Sequence, residues 1–297
     1  MNLGILETIL REGFIYGILA MGVYITYKIL DFPDLSVEGT FPLGACLCAS
    51  LIAAGVPAWI ALLCSLCAGA IAGMITGLLH VRLKISDLLS GILVMTALWS
   101  VNLIVTGGTA IKQFFGLPTI FISLPASLLP ERMGFSRKLY VIIVLVLLIK
   151  LVLDWFLQTK LGLILRAEGD NDSFVTGLGV DSGKIRIFGL SIGNALAALS
   201  GGILAQVSEN ADINMGKGIV VLALASVILG STLLGKTKLK PTTIAVAGAL
   251  LYKLCLQVAL LLKLPSNYLK LLMAVLLTGA ILLDRVKSRK EARSWVP

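Results

Sequence analysis

The chain alternates between long apolar segments and shorter polar ones. Nine apolar segments lie near residues 9–30, 41–54, 57–79, 85–106, 139–157, 185–207, 218–235, 242–262 and 268–284. A helix needs about 20 apolar residues to cross a bilayer, and most of these segments approach that length. The pattern therefore predicts an all-α integral membrane protein with about 8–10 transmembrane helices, in a single domain over residues 1–297.

The composition supports a membrane protein and argues against nucleic-acid binding. Only 14% of the residues are charged and 58% are hydrophobic, with a mean hydropathy of +0.98, whereas soluble domains carry roughly 25% charged residues. The net charge of +9 comes mostly from residues beside membrane segments, so it indicates topology rather than nucleic-acid binding.

Basic residues in the polar stretches predict the orientation in the membrane. When the spans are counted, four basic stretches fall on one face, which the positive-inside rule makes cytoplasmic. This count places the N-terminus outside and the basic tail, residues 285–297, inside. The basic residues of this face are Arg82, Lys84, Lys160, Arg166, Lys184, Lys236, Lys238, Lys240, Arg285, Lys287, Arg289, Lys290 and Arg293.

The second apolar segment is short and follows a polar stretch. Its 14 residues would span about 21 Å as a helix, against a hydrocarbon core of about 30 Å. The stretch before it reads DFPDLSVEGTFP, residues 31–42, and holds two prolines and three acids. It is either an interfacial loop or a helix break inside the protein that lines a polar cavity, and the short helix that follows favours the break. Asp34, Ser36 and Glu38 are then candidate residues on a substrate path.

Residues 107–138 form the main external region. Three prolines and scattered aromatic residues predict a partly ordered cap with short helices, which is too broken to cross the membrane. It is either a docking surface for an external partner or a plain connector.

A polar segment of 26 residues, 159–184, separates the fifth and sixth apolar segments. Asp170, Asn171, Asp172 and Ser173 are good N-cap residues for a short helix. Phe174, Val175 and Leu178 would give that helix an apolar face, and Gly177 and Gly179 would end it. Such a helix suits a groove of another protein or the membrane surface, and the length and mixed charge favour docking.

Polar side chains inside the apolar segments are functional candidates by default. Asn102, Asn194 and Lys253 lie within the fourth, sixth and eighth segments. Each could meet a solute, although helix packing explains the asparagines and an internal acid partner would explain the lysine. Asp154 lies four residues after Lys150, which predicts a local ion pair.

Several chemistries are missing from the sequence. Residues 230–237 read GSTLLGKT and match the GxxxxGK[ST] pattern in letters, but they end an apolar segment instead of joining a strand to a helix, so ATP binding by this chain is not expected. One histidine, no Ser/His/Asp set and five cysteines within apolar segments give no basis for an enzyme or a metal site. We therefore expect no catalytic residues and no cofactor in this chain.

Several motifs along the chain are shared with one known class of membrane protein. The sequence contains Thr159-x-x-Gly162-x-x-x-Arg166-Ala167, with Asn171, Gly179-Val180, Lys184 and the span ending Leu204-Ala205-Gln206. This pattern resembles the cytoplasmic coupling region of ABC importer permeases of the branched-chain amino acid and ribose superfamily. The run from Gly22 to Phe32, the basic break at Arg82–Lys84 and the Gly230 region are also similar. FPDLSVEGTFPLGA, residues 32–45, is similar to permeases assigned to tryptophan and tyrosine uptake. Asp34, Glu38 and Pro42 depart from the branched-chain type.

This resemblance implies a bacterial cytoplasmic-membrane permease that works as two copies. Separate ATPase subunits would bind ATP and Mg²⁺ below it, and an extracytoplasmic solute-binding protein would dock on residues 107–138 and 208–217. Residues 170–180 would be the coupling helix, with Arg166, Asp170, Asn171, Phe174, Val175 and Gly179 as coupling residues. The expected substrate is an aromatic amino acid; branched-chain amino acids, sugars and nucleosides are the alternatives within this class. An ion-coupled secondary transporter is the alternative class.

Overall fold

The computed structural model describes residues 3–123, 136–235, 237–261, 268, 271–272 and 274–282. In these ranges the chain is almost wholly helical. The first helices are α1 (Leu3–Val23, continued by a π-helical turn at Tyr24–Ile29), α2 (Val37–Ala53), α3 (Ala58–Leu83), α4 (Asp87–Val105), α5 (Ile120–Ser123) and α6 (Arg137–Phe156). They are followed by α7 (Lys160–Asp170), α8 (Asp172–Gly177), α9 (Ser182–Ser208), α10 (Ile219–Leu234) and α11 (Pro241–Leu261). Two short strands, β1 (Ile111–Gln113) and β2 (Asn210–Asp212), complete the described elements.

Among the described residues, six helices are long and apolar enough to cross a membrane: Gly4–Ile29, Ala58–Leu83, Asp87–Val105, Arg137–Phe156, Ser182–Ser208 and Pro241–Leu261. Two shorter apolar helices, Val37–Ala53 and Ile219–Leu234, accompany them. Eight of the nine predicted apolar segments thus lie on helices, which confirms an all-α, multi-pass membrane protein. Of the ninth, the described residues 271–272 and 274–282 are helical. The predicted basic tail and residues 124–135 of the predicted cap lie outside the described residues.

Helix α9 lies at the centre of the bundle and packs against α1, α2 and α3. Its small residues let the backbones touch: a Cβ added at Gly201 would collide with the carbonyl oxygen of Phe41 on α2. In the same way, a Cβ at Gly44 would collide with the carbonyl oxygen of Ala198. These small residues of α9 therefore serve close helix packing.

The predicted cytoplasmic stretches meet at one end of the bundle. Lys84 and Arg186 line one pocket with Asp172, and Lys240 lies 3.3 Å from Asp154 at the end of α6. The described part of the N-terminus lies near the other end of α6, where the Ser136 hydroxyl donates to the Glu7 carboxylate. The structure thus agrees with the grouping of the basic stretches; which side faces the cytoplasm stays a prediction.

At the other end, β1 and β2 form an antiparallel pair in which Ile111 lies opposite Asp212. This pairing joins the two segments predicted to be external, residues 107–138 and 208–217. The chain then returns along α2 toward the start of that helix. There the Gly218 N–H donates to Glu38 Oε1 at 3.0 Å, and a Cβ at Gly216 would collide with the carbonyl oxygen of Glu38. The short helices α2 and α10 therefore begin close together inside the protein.

Candidate functional site

The stretch between α1 and α2 is a helix break inside the protein. The π-helical turn ends where the Leu30 N–H donates to the Ile25 carbonyl at 3.0 Å and the Phe32 N–H donates to the Thr26 carbonyl at 2.9 Å. Asp31 adopts a positive φ of 51° and turns the chain, a conformation that aspartate tolerates better than most residues. Phe32, Asp34 and Ser36 beyond it are all buried. Of the two alternatives left open by the sequence, the structure supports the break.

Asp34 is the centre of a buried hydrogen-bond cluster. One carboxylate oxygen accepts from the Ser36 backbone N–H at 2.8 Å, and the other accepts from Asn194 Nδ2 at 2.6 Å. The Ser36 hydroxyl donates to Asn194 Oδ1 at 3.1 Å. The structure therefore brings together three residues of the predicted substrate path, and these bonds compensate the burial of the carboxyl group. They also attach the break to the middle of α9.

A cavity of about 260 Å³ lies at the start of α2, between α2, α4 and the returning stretch of residues 213–217. Asn102 and Glu38, which the sequence singled out, lie in its wall. Trp99, Thr96 and Lys217 also lie there, and nothing in the sequence pattern marked them. The full lining consists of Glu38, Gly39, Pro42, Met95, Thr96, Trp99, Asn102, Ile213 and Lys217.

Lys253 has an acid partner, as one reading of the sequence expected. Its Nζ lies 2.7 Å from Glu12 Oε2 on α1 and 4.4 Å from the centre of the Tyr16 ring. The contacts join α11 to α1 and give Lys253 a packing role that is independent of any solute. The predicted Lys150–Asp154 pair is also present, at 2.8 Å.

The polar segment 159–184 folds into two helices, where the sequence predicted only one. Thr159 caps α7, because its hydroxyl accepts from the Gly162 N–H. Asn171 caps α8, because its side-chain oxygen accepts from the Phe174 N–H at 3.1 Å. Gly179, at φ 76°, ends the turn after α8. The predicted N-cap and the predicted glycine stop are thus confirmed, while α7 was missed.

The apolar side chains of α8 divide between two directions. Phe174 and Leu178 are 57% and 61% exposed, whereas Val175 is fully buried. Val175 therefore holds α8 to its own chain, and Phe174 and Leu178 form an exposed apolar surface. Asp170 is exposed and Arg166 half-buried; Arg166 lines a pocket with Asp154 and Lys240.

Buried polar contacts fix the two helices to the bundle. Glu168, which is 1% exposed, accepts from Arg186 Nε at 2.8 Å and from the Ser182 hydroxyl at 2.6 Å. Asp181 caps α9, and the Lys184 backbone N–H that donates to its carboxyl group holds the pKa of Asp181 below its ordinary value. The segment 159–184 is therefore a structured platform.

The platform touches the end of the π-helical turn directly. Gly169 on α7 lies so close to Ile29 that an added Cβ would collide with the Ile29 carbonyl oxygen and approach the Leu30 Cα to 3.2 Å. Ile29 stands five residues before Asp34. This contact gives a short mechanical connection between the exposed surface of α8 and the buried break.

Within the described residues, no group of three or more His, Cys, Asp or Glu side chains is placed to hold a metal ion. The residues that sequence reasoning missed are Thr96, Trp99 and Lys217 of the cavity, Glu12 as the partner of Lys253, and Gly169. Of these residues, only Gly169 could have been noticed in the sequence, because it is a glycine within a polar segment that is otherwise compatible with a helix.

Comparison with known proteins agrees with this arrangement. Residues 5–282 match the family described as the permease component of the branched-chain amino acid transport system. The chain is 37% identical to the tyrosine transport system permease protein of Clostridioides difficile, over 96% of this chain and 98% of that protein. It is 28% identical to the ribose import permease of Escherichia coli K12, over 95% of this chain and 86% of that protein.

The autoinducer 2 import system permease of Salmonella paratyphi B is 29% identical, over 84% of this chain and 70% of that protein. No solved structure matches the chain. The family match spans nearly the whole described bundle, and the similarity to the tyrosine system permease extends over nearly the full length of both chains. The chain belongs to the branched-chain amino acid transport system permease family, and it is a multi-pass membrane permease component of an ABC-type transporter rather than an enzyme.

Proposed function

We propose that this permease imports an amino acid, an aromatic one such as tyrosine, into the cytoplasm with energy from separate ATPase subunits. The observation that carries the proposal is the exposed apolar surface of α8, held on a rigid platform that touches the buried break. The name of the relative that is 37% identical supports the substrate class.

The platform suits the role of a coupling element. Phe174 and Leu178 present their side chains outward, and an amphipathic helix of this kind binds in a groove of a partner by its apolar face. Val175, Asn171 and Glu168 keep the helix in place from the inward side. Movement of an ATPase subunit that holds Phe174 would therefore move α7 and α8 as one body.

The Gly169 contact then passes this movement to the end of α1. The break that begins there contains Asp34, whose hydrogen bonds reach Asn194 on α9, and it leads to Glu38 at the cavity. In this proposal ATP and Mg²⁺ bind to the ATPase subunits. Two copies of the chain form the pore, and a solute-binding protein docks on the sheet of β1 and β2.

The test is a substitution on the exposed surface of α8. Phe174→Asp places a charge where an apolar contact with the ATPase subunit is expected, so it should abolish co-purification of that subunit and substrate-stimulated ATP hydrolysis. A matched control is Ile111→Asp at the opposite end of the molecule, where the side chain is 52% exposed. The control should keep the ATPase subunit bound.

Membrane insertion of both variants is measured by their yield in the purified membrane fraction. Normal ATPase co-purification and normal uptake by the Phe174→Asp variant would contradict the assignment of α8. Uptake of ribose and not of tyrosine by the wild-type transporter would contradict the substrate class.

A further inference from the structure

Building on the importer function proposed above, we infer that the cavity between α2, α4 and residues 213–217 is a binding site for a zwitterionic α-amino acid inside the permease. The cavity is lined by an asparagine with an unpaired acceptor oxygen, by one acidic and one basic side chain, and by a tryptophan. Each of these features recognises a different part of such a substrate.

The unpaired acceptor is Asn102 Oδ1. Asn102 is fully buried, and its Nδ2 donates to the Gly39 carbonyl oxygen at 3.1 Å. A carbonyl oxygen can only accept, so this bond fixes the orientation of the amide and leaves Oδ1 as the remaining acceptor. Oδ1 has no hydrogen-bond partner in the described protein. Buried polar atoms are rarely left unpaired, and Asn102 lines the cavity, so the expected partner is an ordered water or an N–H or O–H group of a bound molecule that displaces it.

The charges of the cavity match the two ends of an amino acid. Glu38 lies in the wall with Asn102, where its Oε1 accepts from the Gly218 N–H and its carboxylate brings a negative charge to the cavity. Asn102 Oδ1 and the Glu38 carboxylate therefore suit an ammonium group. Lys217 lines the same cavity from the returning stretch and suits a carboxylate. A neutral sugar carries neither charge.

The rest of the lining suits an apolar or aromatic side chain. Met95, Trp99, Pro42 and Ile213 contribute mostly apolar surface, and the indole of Trp99 offers a face on which an aromatic ring stacks. The volume of about 260 Å³ is close to the lower end of the range for small-molecule pockets, about 300–1,000 Å³. A single amino acid is the right scale for this space. Thr96 and Trp99 are exposed, so the cavity opens beside α4.

The first test measures uptake of L-tyrosine by the transporter reconstituted in vesicles with its ATPase subunits and a saturating amount of its binding protein. Trp99→Ala and Lys217→Gln should each lower the maximal uptake rate about tenfold. Both side chains are exposed, so the fold should tolerate the changes. The matched control is Trp155→Ala, on the exposed face of α6, which should transport within twofold of the wild type.

The second test detects occupancy directly. Thr96→Cys is introduced into a protein in which Cys64, Cys67 and Cys255 are replaced by alanine, and the rate of labelling by a membrane-impermeant thiol reagent is measured. L-tyrosine should slow the labelling at least threefold, and D-ribose at the same concentration should not.

The outcomes separate the cavity from the importer function. The wild type could take up tyrosine while both cavity variants transport normally and the cysteine is not protected. This result would overturn the proposed binding site alone. Protection by ribose and not by tyrosine would overturn the amino-acid assignment of the cavity. Failure of the wild-type transporter to take up any amino acid would instead overturn the proposed function.

Discussion

Replacement of Gly169 by alanine should disconnect ATP hydrolysis from transport. A Cβ at this position would lie 1.5 Å from the carbonyl oxygen of Ile29, whereas real Cβ atoms essentially never approach another atom within 3.0 Å. Helix α7 and the end of α1 must therefore separate by about 1.5 Å or more. Overpacking of this kind typically costs about 1–3 kcal/mol, and the better helix propensity of alanine returns at most about 1 kcal/mol. Separation of α7 from the end of α1 therefore costs less free energy than unfolding of the bundle.

The exposed surface of α8 does not change in this variant, so the ATPase subunit should still bind. We expect co-purification and basal ATP hydrolysis within twofold of the wild type, and tyrosine uptake at least tenfold lower. The matched control is Gly177→Ala in α8, where an added Cβ meets no atom within 4 Å; uptake should be unchanged. If Gly169→Ala supported uptake and substrate-stimulated ATP hydrolysis at wild-type rates, the contact with Ile29 would have no role in coupling.

Three further changes probe the break, the α8 cap and the helix packing. Asp34→Ala leaves unpaired the buried Ser36 N–H and one of the two Asn194 Nδ2 hydrogens, since the other still donates to the Leu190 carbonyl oxygen, and should cost about 2–4 kcal/mol of stability; an unchanged unfolding temperature in detergent would contradict the role of the cluster. Asn171→Ala removes the N-cap of α8 at a cost of about 1 kcal/mol and should weaken, without abolishing, retention of the ATPase subunit in a salt-wash series, whereas Asn171→Asp should retain it as the wild type does. Gly201→Val forces a side chain against the Phe41 carbonyl oxygen, so the folded yield measured by size-exclusion chromatography should fall severalfold, and a normal yield would show that the helices separate easily.

The helices were predictable from the sequence because a membrane span is a local property of about 20 consecutive residues. The α8 cap was equally local, since Asn171 and the Phe174 N–H are three residues apart. Helix α7 was missed because its apolar residues, such as Leu163, lie within a polar segment that hydropathy alone marks as a loop. Its N-cap, Thr159, was the available signal.

The contacts that make the candidate site were not predictable, because they join distant parts of the chain. Asp34 and Asn194 are 160 residues apart, and Lys253 and Glu12 are 241 apart. The sequence predicted that Lys253 pairs with an acidic side chain, but it did not show which of several acids is the partner. Trp99 and Lys217 carried no signal, because only the return of residues 213–217 along α2 places them beside one cavity.

The close backbone packing around α9 limits which parts of the protein can rearrange during transport. The backbones of α2 and α9 touch where Gly44 and Gly201 have no side chain. If these helices slid or rotated past one another, a neighbouring Cβ would be driven into a carbonyl group. Helices α2 and α9 should therefore travel as one rigid block. The deformation of the cycle then falls on elements outside this block, such as α4, of whose apolar window only 28% is buried, and an inhibitor wedged beside α4 would arrest the permease without unfolding it.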